Sequence, residues 1–155
     1  EATKNFLTPA LLPPITFVTA ALISFATGSS WATMSILVPV TVPMAIQLMQ
    51  GDPNAIVQTP IFISTFAAVL SGSVFGDHSS PIADTTILSS TASGADHIDH
   101  VRTQLPYALI CAAIALIGGY FLTGIGVNVF VRIQVGCTNA HAFLKVFGKT
   151  VPASA

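Results

Sequence analysis

Basic side chains are missing from this sequence between Lys4 and Arg102, and as far as Ser93 that stretch holds only three acids, Asp52, Asp77 and Asp84. Charged residues make up 7% of the 155 residues, against roughly a quarter in soluble domains. So little charge cannot clothe a water-facing globule. Five Lys and Arg against six Asp and Glu leave no basic stripe for a phosphate backbone, which argues against nucleic acid as a partner. Cysteine is scarce as well: Cys111 lies within an apolar run and Cys137 follows another, so neither a disulfide framework nor a thiolate metal site is expected. No basic n-region or cleavage site accompanies the first apolar run, so no signal peptide is expected. The opening on Glu1 rather than Met suggests that an N-terminal portion of the same protein is missing.

What is abundant is apolar. Residues of that kind make up 52% of the chain, with a mean hydropathy of +0.78. A bilayer core about 30 Å thick takes about 20 helical residues to cross. By that ruler Pro13 to Ala26 is short, stops at Thr27-Gly28-Ser29-Ser30, and is followed by a second run, Trp31 to Met49. The pair reads as a re-entrant hairpin or a broken helix over 11–49. After the turn Gln50 to Asn54, an apolar stretch from Ala55 to Phe75 is expected to break at Gly76-Asp77-His78-Ser79-Ser80-Pro81 and resume as a half-helix, Ile82 to Ser93, giving a second broken helix over 55–93. Gly94 to Leu105, with Asp96, His97, Asp99, His100 and Arg102, reads as an aqueous or interfacial loop in preference to a metal cluster or a pH sensor. Residues 107–131 read as the cleanest spanning helix and 132–155 as a tail. The fold class is therefore an all-α polytopic membrane protein, with the lipid bilayer as its first partner.

The chemistry concentrates at the breaks. Asp77 and Asp84 stand seven residues apart in an apolar region, with no base in the segment to neutralise them. An intramembrane carboxylate costs several kcal/mol and is tolerated where it has a partner or a purpose. A bound cation or a proton is a natural counter-charge. Ten of the 23 residues from Ser71 to Ser93 are Ser or Thr, and hard cations such as Na+ prefer such oxygens. Ser79, Ser80, Thr85 and Thr86 flank the acids and are the candidate oxygen ligands beside them. Thr27, Gly28, Ser29 and Ser30 form the matching break, whose amides attract anions and whose unwound carbonyls attract cations. Many of these hydroxyls would equally serve as helix glue. His78, beside Asp77, is a candidate proton relay or a structural hydrogen bond. No bound cofactor is expected; Na+ and H+ are cargo.

Four strings, Ala26 to Trp31, Phe75 to Pro81, Asp84 to Thr91 and Asp96 to Tyr107, taken in this order, resemble the NhaC-type Na+/H+ antiporter family. The resemblance covers roughly Ile15 to Val131 and is to the C-terminal portion of family members. Ser79 stands where many members carry Cys, and Ala32 where Gly is common. The resemblance implies part of an inverted-repeat transporter of the ion-transporter superfamily, a multi-pass protein of a bacterial or archaeal plasma membrane. It further implies that Na+ and H+ compete for a site at Asp77, Asp84 or both, without enzymatic chemistry. Relatives that move organic acids or amino acids supply the alternative. An intramembrane aspartyl protease and a purely structural subunit are weaker rivals, and a homo-oligomer is left open.

Overall fold

The computed structural model describes residues 8–147. Its elements are helical: a 3-10 turn Pro9–Leu11, then α1 (Leu12–Thr27), α2 (Ser30–Met49), α3 (Pro53–Ile56), α4 (Pro60–Ser79), α5 (Asp84–Ala92), α6 (His97–Ala115), a π-turn Leu116–Phe121, α7 (Leu122–Gly124) and α8 (Val129–Phe147). Among the described residues four stretches are long and apolar enough to cross a membrane: Pro9–Thr27, Ser30–Met49, Pro60–Ser79 and the continuous His97–Gly124. The chain is an all-α polytopic membrane protein.

Local chemistry sets the helix ends. Proline occupies the opening positions of α1, α3 and α4, where its missing N–H costs nothing. Ser29 accepts from the Ala32 amide at 3.3 Å to cap α2, Thr59 accepts from Phe62 at 3.3 Å to cap α4, and Asp96 accepts from Ile98 and Asp99 at 2.9 and 3.1 Å to cap α6. Gly28 closes α1 in the left-handed conformation, φ 66°, its amide donating to Ser24 O at 2.8 Å. Removing one cap by Thr59→Ala is expected to lower stability by about 1 kcal/mol, read as an earlier unfolding midpoint in detergent micelles.

Several expected boundaries move. The first segment is not short, because the turn at Pro9–Leu11 extends it to 19 residues. The stretch expected from Ala55 starts as the short α3, and the long helix begins only at Pro60. Gly76, Asp77 and His78 lie inside α4, so the break falls at residues 80–83 instead of beginning at Gly76. The supposed loop from Gly94 to Leu105 is mostly the first turns of α6, since Asp96 caps a helix that starts at His97. That helix runs through Pro106 and ends near Gly124, where Gly126 adopts φ 79°, so the span sits about ten residues earlier than the expected 107–131. Arg132 and Lys145 of the expected tail lie in α8, while Lys149 and residues 148–155 lie outside the described residues.

The core is the seam between α1 and α4. Gly72 and Gly76 present bare backbone to Phe17, Ala20, Ala21 and Ser24, and Ala20, Ala68 and Val69 are fully buried. Small residues four apart let membrane helices approach this closely. Gly76 is thus a packing glycine, where the sequence suggests a helix breaker. Within the seam the Ser24 hydroxyl donates to Ser73 O at 2.5 Å, and Phe17 stacks on Tyr120 with centroids 5.1 Å apart and lies tilted against Phe75 at 6.2 Å. Tyr120 stands in the π-turn, and its hydroxyl meets Ser71, which ties that turn to α4.

Candidate functional site

Two helix ends meet at Asp77. It sits in the last turn of α4, where the helix stops because Ser80 turns to extended backbone before Pro81. The N-terminus of α2 meets it from the side: Ser30 Oγ donates to Asp77 Oδ2 at 2.9 Å. The second oxygen, Oδ1, is buried and has no hydrogen-bond partner among the described residues. Two further buried hydroxyl oxygens nearby in sequence also lack partners among those residues, Ser79 Oγ and, one turn before Asp77, Ser73 Oγ. A buried carboxylate oxygen without a donor is a costly arrangement unless a proton or a cation completes it.

The two breaks are brought face to face. A Cβ placed on Gly28 would sit 3.0 Å from the Ile82 carbonyl carbon and oxygen, so the turn between α1 and α2 packs directly on the break between α4 and α5. Ser80, fully buried, pins the same break to α1 by donating to Phe25 O at 2.8 Å while accepting from the Ile82 amide at 3.3 Å. Thr86, also buried, donates to His78 O at 3.4 Å and holds α5 against the end of α4. Ser80 and Thr86 are thereby committed to backbone partners.

The remaining candidates stand further from Asp77's free oxygen in role. Asp84 is exposed at the start of α5 and its Oδ1 accepts from the Thr85 amide at 2.8 Å; Thr85 is exposed as well. Ser29 is the α2 cap, and the Thr27 hydroxyl donates to Ser24 O at 3.4 Å from an exposed position. His78 faces away to α6, with Gln104 Nε2 lying 2.6 Å from its Nε2 and donating to its carbonyl at 3.2 Å. His78, Thr85, Thr86, Ser89, His100 and Gln104 line a polar cavity of about 390 Å³ beside the break. Among the described residues no three His, Cys, Asp or Glu side chains converge as a metal cluster, so the acids and histidines from Asp96 to His100 do not form one.

Ser73, Gln104 and His97 were not distinguishable by sequence as members of this region. Ser73 carried one usable signal, its place four residues before Asp77 on the same helix face. Gln104 carried none, and His97 stands out only as one titratable side chain in a segment that reads as loop until Asp96 is seen to cap it.

The chain is 45% identical over 113 residues to an uncharacterized protein of Haemophilus influenzae, covering 73% of the chain and 20% of that relative. It is 36% identical over 112 residues to the arginine/ornithine antiporter ArcD of Halobacterium salinarum, 72% and 21% of the two lengths, and 30% identical over 124 residues to the malate-2H+/Na+-lactate antiporter of Bacillus subtilis, 77% and 24%. The chain thus spans about a fifth to a quarter of the length of these curated relatives. No solved structure matches it. The model of the Na+/H+ antiporter family matches residues 1–125, and the chain, with its four apolar helices, belongs to that family of transporters.

Proposed function

We propose that this chain supplies the ion-binding carboxylate of a secondary antiporter, with Asp77 as the group for which Na+ and H+ compete. The observation that carries the reading is the state of Asp77: one oxygen held by the neutral Ser30 hydroxyl, the other buried with no partner. Ionised, the carboxylate offers Oδ1 to a cation, with the unpartnered Ser79 hydroxyl as a neighbouring oxygen donor. Protonated, it loses its attraction for the cation, so one site couples the two ions without a second one. Asp84, exposed and bonded to its neighbour's amide, has an accessory role in attracting cations toward the break. Alternating access would come from rocking of one helical repeat against the other, with the chain beyond these residues supplying the partner repeat. The setting is a bacterial or archaeal plasma membrane.

A second reading, antiport coupled to an organic solute, has its own support in the polar cavity beside the break and in the arginine/ornithine and malate/lactate relatives. The protease reading has less, since Asp84 is exposed and Asp77 is turned to Ser30.

The test places the complete protein in everted vesicles with a trapped pH dye. Added Na+ alone is expected to dissipate a preset proton gradient. If Na+ acts only when arginine, malate or lactate is also present, the solute-coupled reading replaces the first; if neither acts, both fail.

A further inference from the structure

The break has a tie that the ion site does not use. His97 opens α6, yet its ring reaches back to both sides of α5: Nε2 lies 2.7 Å from Pro81 O in the break, and Nδ1 lies 3.1 Å from Ser90 Oγ in the last turns of α5. A carbonyl only accepts, so Nε2 carries the hydrogen in either protonation state of the ring.

Ser90 is what makes the tie insensitive to breakage and sensitive to protons. Its hydroxyl has two acceptors in reach, His97 Nδ1 and Ile87 O at 2.9 Å, and Ile87 O is also served by the Thr91 hydroxyl at 2.8 Å. With a neutral ring the Ser90 hydroxyl donates to Nδ1. With an imidazolium it rotates to Ile87 O and accepts from Nδ1–H instead. The contact survives both states, but in the second both of its hydrogen bonds are charge-assisted and about twice as strong.

We propose that His97 is a positioning residue whose grip on the Pro81 carbonyl and Ser90 tightens on protonation, so that acid holds the break between α4 and α5 closed. Asp96 caps α6 and Asp99 lies in its first turn. The other titratable and charged groups on α6 are His100, Arg102, Tyr107 and Cys111; those on the elements packed against it are Asp84 on α5, Asp77 and His78 on α4, Tyr120 on the π-turn, and Arg132, Cys137, His141 and Lys145 on α8. The α8 groups are remote, because α8 packs on α6 and the π-turn from Ile110 to Gly118, about 20 to 30 Å along the helix from His97.

Ala83, fully buried inside the break, supplies the probe. In the complete protein carrying Ala83→Cys, with the protein lacking that change as blank, reaction of the introduced thiol with a membrane-impermeant maleimide is expected to slow by about tenfold from about pH 8 to about pH 5, after correction for the thiolate fraction with a free-thiol standard. Adding His97→Gln, which can still donate to Pro81 O but cannot gain a proton, is expected to flatten that dependence. Ser90→Ala, which leaves His97 in place and removes only the Nδ1 partner, is expected to reduce it, and it carries the test if the glutamine variant does not fold. A pH-independent wild type, or variants that keep the wild-type profile, would overturn the proposal. The labelling is read without transport, so its outcome is separate from that of the Na+ assay.

Discussion

Asp77→Asn is expected to abolish Na+-driven proton movement while leaving the protein folded. Asparagine keeps the shape and an oxygen for the Ser30 hydroxyl, which now sits 2.9 Å from Oδ2, so the contact between α2 and α4 persists. What disappears is the negative charge at Oδ1 and the ability to take up a proton. A unit charge about 4 Å from its counter-ion is worth about 4 kcal/mol at an effective dielectric of 20, equivalent to between 10²-fold and 10³-fold in affinity at about 1.4 kcal/mol per factor of ten. The loss should therefore be close to complete at any practical Na+ concentration, by the trapped-dye assay. Asp84→Asn is expected to do much less, a change of about tenfold or smaller, because that carboxylate is exposed in this chain and its Oδ1 already accepts from the Thr85 amide. Equal losses at both positions would refute the assignment of the site to Asp77 alone, and an active Asp77→Asn protein would remove it altogether.

Gly76→Leu should unfold the seam on which that site stands. A Cβ at Gly76 would meet the Phe25 amide nitrogen and Ser24 Cβ at 2.6 Å, and one at Gly72 would meet Phe17 O at 2.5 Å and Ala20 Cβ at 2.9 Å. These neighbours are the backbone and the first side-chain carbons of α1, which cannot swing aside as the end of a flexible side chain can. The helices must separate, which costs about 3 kcal/mol or more by the measure of overpacked cores. Separation would also break the bonds from Ser24 to Ser73 and from Ser80 to Phe25, both of which cross the same seam. The measurement is the yield of monodisperse protein and the unfolding midpoint in detergent. Gly136→Ala is the control, since nothing stands within 4 Å of a Cβ there and Ala favours a helix, so it should be neutral or slightly stabilising. A Gly76→Leu protein as stable as wild type would mean that α1 and α4 do not approach as described.

The seam and the site are one structure. Asp77 directly follows Gly76, and the glycine's missing side chain brings the turn of α4 that bears Asp77 and Ser79 close to the ends of α1 and α2. The same packing buries Ser73 and Ser79, leaving their hydroxyl oxygens without partners.

The sequence by itself determined the class of the molecule. Scarce charge and long apolar runs force helices in lipid, where every backbone amide must find its partner within its own segment. It also marked Asp77, Ser79 and Ser30 as candidates, because an acid with no base nearby and a run of hydroxyls are compositional facts. Only the tertiary structure decided which candidates share a site. Asp77 and Asp84 look equivalent along the chain, and they part company because α4 continues through Gly76 and half-buries one, enclosing its Oδ1, while the break exposes the other. Gly76 itself was ambiguous, since a glycine that ends a helix and one that lets two helices touch are the same residue until the neighbour is known. The segment from Gly94 to Leu105 was misread for a similar reason: its polar residues suit water in a loop and suit the first turns of a capped helix equally well, and the difference lies in the Asp96 carboxylate and in the His97 ring reaching Pro81 and Ser90. Local pattern fixes what a segment can be; contacts between segments distant in sequence decide which of those things it is.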